Sequence, residues 1–164
     1  MPTTEASSMI LLDDNFSTLV SAVEEGRIIY ANIRKFLRYL LSCNIGEVVT
    51  MFFGMLMGMP VVLLPIQILT VNLVTDGIPA IALSFDPPQD DVMLEKPRKR
   101  SESVFSNGLG STIVLRGILL GLSVLGAFST VLGFSKDVDS ARTAAFLALV
   151  FTQLIHVFEC KSEN

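Results

Sequence analysis

Charge is scarce in this chain. Of its 164 residues only 17% are Asp, Glu, Lys or Arg, against about 25% in ordinary soluble domains. That balance argues against a soluble globular enzyme. A basic excess is also lacking: the net charge is −4 and the pI about 4.9, which argues against nucleic acid as a partner. The two cysteines, Cys43 and Cys160, are far apart and beside no metal-type spacing. They suggest neither a disulfide scaffold nor a zinc site. The start of the chain is polar and acidic, without the basic opening and apolar stretch of a signal peptide.

In place of charge there is oil. Hydrophobic residues make up 51% of the chain and the mean hydropathy is +0.59. They gather in four blocks, broadly 36–59, 61–85, 111–134 and 141–158. A bilayer core needs about 20 apolar residues per helix, and each block is near that length. The expected fold is all-α: a multi-pass membrane bundle of four transmembrane helices with an N-terminal amphipathic stalk helix. The spans are expected at about 36–59, 64–83, 113–134 and 141–158.

Ahead of them, residues 15–35 show helical periodicity, with Leu19, Val20, Val23, Ile28, Ile29 and Ile33 against Glu24, Glu25, Arg27, Arg34 and Lys35. Asn15 or Ser17 is placed to cap this helix. Residues 1–14 end in a short apolar run closed by Asp13 and Asp14, like the last strand of a preceding unit. Pro60 and Pro65 bracket an uncharged loop, so the first two spans form a tight hairpin. Basic residues cluster before span one and at 96–100, between spans two and three. The positive-inside rule then puts both termini and the 86–110 loop in the cytoplasm, and leaves 159–164 as a cytoplasmic tail.

The residues that interrupt the oil carry the chemistry. Span one holds Asn44 and Glu47, three apart; span two holds Asn72, Thr75 and Asp76, at i, i+3 and i+4. Each set shares a helix face. An unpaired carboxylate in a span costs roughly 2.5–3.5 kcal/mol on insertion scales. Beyond the leading Arg34, Lys35 and Arg38 cluster, no Lys or Arg lies within these two spans to neutralise it, so protons or a cation must. Carboxylate, amide and hydroxyl oxygens are what a hard cation such as Ca²⁺ takes. A polar seam between helices is the plainer alternative for the Asn and Thr residues. Gln153 in span four is a weaker candidate, and His156 fits packing better than ligation. Gly77 and Pro79 should loosen span two beside Asp76. Ser42, Gly46, Thr50, Gly54 and Gly58, each four apart, make a small-residue stripe that implies a closely packed partner helix. Arg116 is expected to snorkel to the cytoplasmic interface.

Several runs are recognisable. Ser42-Cys43-Asn44-Ile45-Gly46-Glu47, Leu64-Pro65-Ile66-Gln67, Asn72-Leu73-Val74-Thr75-Asp76-Gly77-Ile78-Pro79 and Phe85-Asp86-Pro87-Pro88 resemble P-type calcium-transporting ATPases. The resemblance covers almost the whole chain. It implies the fifth to eighth spans of a ten-span pump, with residues 1–14 a remnant of the phosphorylation domain. It also implies calcium ligands at Asn44, Glu47, Asn72, Thr75 and Asp76. Gln153 stands where two-ion members carry Glu, which favours one ion per cycle. The Asp-Lys-Thr-Gly phosphorylation motif and the nucleotide-binding and actuator domains do not occur in this sequence. The chain is therefore expected to be inactive alone, with ATP and Mg²⁺ belonging to the intact pump. Its expected partners are membrane lipid and the remaining spans and cytoplasmic domains. Two alternatives stay open: a pump for Mn²⁺, Na⁺ or H⁺, or a free-standing four-helix regulatory or binding protein of the membrane.

Overall fold

The computed structural model describes residues 15–87, 93–94, 104–105 and 108–162. The expected remnant at 1–14, the basic run at 96–100 and the last two residues of the tail lie outside the described residues.

The described residues fold as helices. They are α1 (Phe16–Leu56), α2 (Pro65–Thr70), a π-helical segment (Val71–Asp76), α3 (Gly77–Ser84), α4 (Leu109–Ser135) and α5 (Val138–Ser162). Four helical stretches are long and apolar enough to cross a membrane: Phe16–Leu56, Pro65–Ser84, Leu109–Ser135 and Val138–Lys161. The molecule is a multi-pass membrane bundle.

The amphipathic stretch and the first span form one rod. At 1.5 Å per residue, α1 runs about 60 Å. Asn15 caps it, its side chain accepting from the Ser17 amide at 3.0 Å. The far end stops earlier than the hydropathy suggested. Gly58 turns left-handed at φ 68°. Its amide donates to the Met55 carbonyl at 3.0 Å, and that of Met59 to the Gly54 carbonyl at 3.0 Å. This is a Schellman closure, and glycine meets its positive φ without a Cβ penalty. Gly58 is thus a helix terminator, not a member of the packing stripe. Pro65 then opens α2, where the Gln67 side chain accepts from the Leu64 amide at 2.8 Å.

The rest of the stripe has its partner, and it is α4. A Cβ on Gly117 would lie 2.5 Å from Ile45, and one on Gly121 would lie 2.6 Å from Val49. Gly46 faces the same contact, where an added Cβ would lie 3.0 Å from Leu120. Glycines on both helices let the backbones approach, which is how membrane helices gain packing where oil offers no drive to associate. Thr50 Oγ1 donates to its own Gly46 carbonyl at 2.8 Å and lies 3.4 Å from the Gly121 carbonyl. Gly54 meets Val62 in the loop most closely, with Leu125 of α4 also in van der Waals reach of an added Cβ. α5 packs on α4 and also touches α1, and α3 packs on α1. One apolar cluster joins Val62, Leu63 and Val71 to Val124, Phe128, Ala145 and Leu149. A second joins Tyr39 and Cys43 to Ala80, Leu83, Leu120 and Cys160. Both cysteines are free.

The α1–α4 approach makes a sharp prediction. Gly121→Leu must push two backbones apart, and overpacking of this kind costs about 1–3 kcal/mol. Thermal unfolding in detergent should show a clearly lowered midpoint. Gly126→Leu, where an added Cβ meets nothing within 4 Å, should leave the midpoint unchanged.

Candidate functional site

The polar residues of three helices meet inside the bundle. Glu47 of α1 is 5% exposed, while Asp76 and Gln153 are fully buried. Asn72 Nδ2 donates to Glu47 Oε2 at 3.0 Å and to its own Ile68 carbonyl at 3.1 Å. Both amide protons are then used, and the Asn72 oxygen is the atom left for another partner. Gln153 Nε2 lies 3.4 Å from Glu47 Oε1. Glu47 therefore sits between two amides, and Asp76 is close enough to repel it.

Asp76 is held differently. The Tyr39 hydroxyl lies 2.9 Å from the Thr75 carbonyl and 3.3 Å from Asp76 Oδ1, so one proton serves two acceptors. The Cys43 thiol is a neighbour of the same carboxyl. The other carboxyl oxygen, Oδ2, is buried and has no hydrogen-bond partner among the described residues; the same is true of Gln153 Oε1. Leaving a buried acceptor unsatisfied costs about 1–3 kcal/mol, more for a charged group. Two such oxygens beside a second buried carboxylate ask for a ligand. Among the described residues, no three His, Cys, Asp or Glu side chains form a metal cluster. Oxygens of amides and backbone must supply the rest of any cation's shell.

The expected loosening of span two takes a definite form. Val71–Asp76 is a π-helix, a rare geometry that appears mostly as single turns at functional positions. Gly77 is not its cause through conformational freedom, since its φ of −64° and ψ of −49° are ordinary helix. Pro79 contributes more. It has no N–H to return to the carbonyl four residues back, which is that of Thr75. The Tyr39 hydroxyl occupies this orphaned acceptor.

The wider turn also redistributes the three polar residues. With more than four residues per turn, positions 72 and 76 stay on one face while 75 swings aside. Asp76 is buried and Asn72 and Thr75 are half-buried. Thr75 contributes its carbonyl to the Tyr39 contact. Asn44 stands apart from the group: it is exposed, and its Nδ2 donates to the Leu40 carbonyl at 2.7 Å. Asn44 and Glu47 are three residues apart, about 60° short of a full turn, and the edge of the buried face falls between them.

Tyr39 and Cys43 escaped the sequence analysis. The signal was present, since residues 39, 43 and 47 are spaced by four and a tyrosine in oil needs a partner for its hydroxyl. His156 is buried against Tyr39, with ring centroids 6.0 Å apart, and its Nδ1 lies 3.2 Å from Glu159 Oε2. Arg116 does not reach outward alone; it pairs with Glu159. Arg116, His156 and Glu159 line a groove of about 170 Å³ between α4 and α5 that includes neither Glu47 nor Asp76.

Comparison with known proteins identifies the setting. The family described as "Cation transporting ATPase, C-terminus" matches residues 60–164. The chain belongs to that family. It is 54% identical over 161 residues to a calcium-transporting ATPase of Bacillus subtilis (strain 168), covering 98% of this chain and 18% of that protein. It is 44% identical over 175 aligned positions to calcium-transporting ATPase 1 of Bacillus cereus (strain ATCC 10987 / NRS 248), covering 97% and 20%. The chain thus spans about a fifth of the length of these relatives. As a cation-transporting ATPase C-terminus, it places its buried carboxylates in a membrane bundle rather than in a soluble catalytic domain.

The Tyr39 contact is open to a double-mutant cycle. Tyr39→Phe should lower stability by about 1–3 kcal/mol, because it strands the Thr75 carbonyl. Pro79→Ala supplies an amide for that carbonyl. In the Pro79→Ala background Tyr39→Phe should therefore cost measurably less by thermal unfolding in detergent.

Proposed function

We propose that this chain is the ion-binding membrane part of an ATP-driven calcium pump of the P-type, corresponding to its fifth to eighth spans. Residues 15–35 are the stalk and 36–158 the transmembrane domain. The observation that carries the proposal is the pair of buried, unpartnered oxygens, Asp76 Oδ2 and Gln153 Oε1, beside Glu47 and Asn72. The transported ion is Ca²⁺, as the names of both relatives support. Asp76 is the central ligand, with Glu47, Asn72 and Gln153 around it and Thr75 and Asn44 at the margin.

The chemistry follows from what these groups can do. Carboxylate oxygens draw a divalent cation out of water, and amide oxygens complete its shell without adding charge. One carboxylate fewer than a two-ion site, with Gln153 in place of Glu, suits a single ion. Phosphorylation by ATP with Mg²⁺ takes place in cytoplasmic domains of the intact pump. The stalk carries the resulting movement to the spans, and the site alternates between tight and weak states. Protons take the place of the metal on the carboxylates in the weak state.

The test places the whole chain in the Bacillus subtilis calcium-transporting ATPase, in exchange for that protein's own matching segment. Asp76→Asn keeps the shape and removes the charge. It should weaken calcium dependence of ATP hydrolysis by on the order of 100-fold, about 2.8 kcal/mol. Glu47→Gln should have a smaller effect, since Glu47 already has two amide donors. Parental calcium dependence in Asp76→Asn would overturn the oxygen-cage proposal and leave a polar helix–helix seam.

Orientation belongs to the same proposal. Both termini and the 86–110 loop face the cytoplasm. Both native cysteines are fully buried, so an introduced cysteine reports cleanly. A cysteine at Ser135 should react with an impermeant reagent from outside, and one at Ser103 should not. The opposite pattern would reverse the topology.

A further inference from the structure

Beyond the end of α3, at Asp86, three elements are tied by a single carboxyl group. Lys35 Nζ of α1 lies 2.8 Å from Asp86 Oδ2, and Lys161 Nζ of α5 lies 3.3 Å from Asp86 Oδ1. Lys35 and Asp86 side chains are 10% and 6% exposed, while Lys161 is 58% exposed. Asn32 of α1 adds two contacts, donating to the Asp86 carbonyl at 2.8 Å and to the Ser84 carbonyl at 3.3 Å. Residue 86 is therefore fixed through both carboxyl oxygens and through its backbone.

The elements so joined are those that carry the buried oxygens. α1 holds Glu47, the π-helical segment ends on Asp76 and runs into α3, and α5 holds Gln153. Asp86 is ten residues past Asp76, beyond the end of α3 at Ser84. The contacts described for Asn32, Lys35 and Asp86 do not include Glu47, Asp76 or Gln153. Burial pushes the Asp86 carboxyl up, but the hydrogen bonds and charges of Lys35 and Lys161 outweigh it and hold the carboxyl below its ordinary value. The tie is thus present above the unfolded carboxylate's value of about 3.9 and is lost only as pH falls through the lower folded value.

We propose that Asp86 is a positioning residue: with Lys35 and Lys161 it sets the register of the helices bearing Glu47, Asp76 and Gln153, and so sets calcium affinity from a distance. This rests on the calcium-site proposal above. A helix displaced along its axis moves its ligand oxygens by the same amount. A cation shell tolerates little such movement, and partners outside the ligand shell typically govern about 10–100-fold in metal affinity.

The experiment uses the same exchange of the whole chain into the Bacillus subtilis pump and reads calcium-dependent ATP hydrolysis. Lys35→Met and Asp86→Asn should each raise the half-maximal calcium concentration about tenfold, with the maximal rate near the parent's. The double variant should be no worse than either single one. Lys35→Arg keeps the charge and should retain parental affinity. Should the buried variants fail to accumulate in the membrane, Lys161→Gln carries the test from the exposed side, and it must shift calcium dependence in the same direction. Parental half-maximal calcium, or a fall in maximal rate alone, overturns the proposal. Asp76→Asn, run in parallel, separates the two claims. If it abolishes calcium dependence while the three tie variants behave as parent, only the positioning role falls; if it has no effect, the ion site falls.

Discussion

A carboxylate buried in a membrane bundle must be answered by something, and the architecture here is arranged around Asp76. One of its oxygens shares the Tyr39 hydroxyl with the Thr75 carbonyl, and the other has no partner among the described residues. Tyr39 is available for this because α1 is one long rod that brings residues 39, 43 and 47 onto a single buried face. The Thr75 carbonyl is available because Pro79 leaves it without its helical donor. The π turn between them keeps Asn72 and Asp76 on one side while the backbone opens. Each of these features would be a defect in a packing helix. Together they hold one acidic side chain at depth with an oxygen to spare.

Rigid surroundings make that tolerable. The glycine contacts between α1 and α4 leave no room for an added Cβ at Gly117 or Gly121, so these two helices cannot slide easily past each other. α5 then packs on α4 and presents Gln153 toward Glu47. The apolar side of the bundle sets where α1 and α5 stand, and the polar groups meet as a consequence. Loss of that close approach would separate Glu47 from Gln153 before it changed either residue.

Much of this was legible in the sequence because charge in oil is a local signal. Glu47, Asn72 and Asp76 stand out against four apolar blocks, and the small-residue stripe announces a close partner. What could not be read has a physical reason in each case. A π turn of six residues leaves the hydrophobic period unchanged, so the displacement of Thr75 from the Asn72–Asp76 face has no trace in the pattern. The position of Asn44 outside the buried group depends on where the packed face of α1 ends, and α4 decides that. Gln153 stood out only weakly, since one amide in a span reads equally as a seam. Asp86 looked like one acid among several in a polar loop. Its pairing with Lys35, 51 residues earlier, and with Lys161 is a tertiary fact.

The two acidic centres differ in a way that suits different tasks. Asp86, at the end of the span, has two lysines on its two oxygens, and a carboxylate so paired is neutralised for good. Asp76 and Glu47, at depth, have hydroxyl, thiol and amide neighbours but no lysine or arginine partner among the hydrogen bonds and ion pairs described for them. A permanent counter-charge there would satisfy the desolvation cost and at the same time occupy the oxygens. Neutral donors orient the carboxyls and leave their charge unanswered. Such a group can be neutralised by a proton in one state and by a metal ion in another, and the difference between those states is what an energy-driven cycle can use. On the proposals made above, Asp86 and its lysines would hold the frame, and Asp76 and Glu47 would be left free to change their partner.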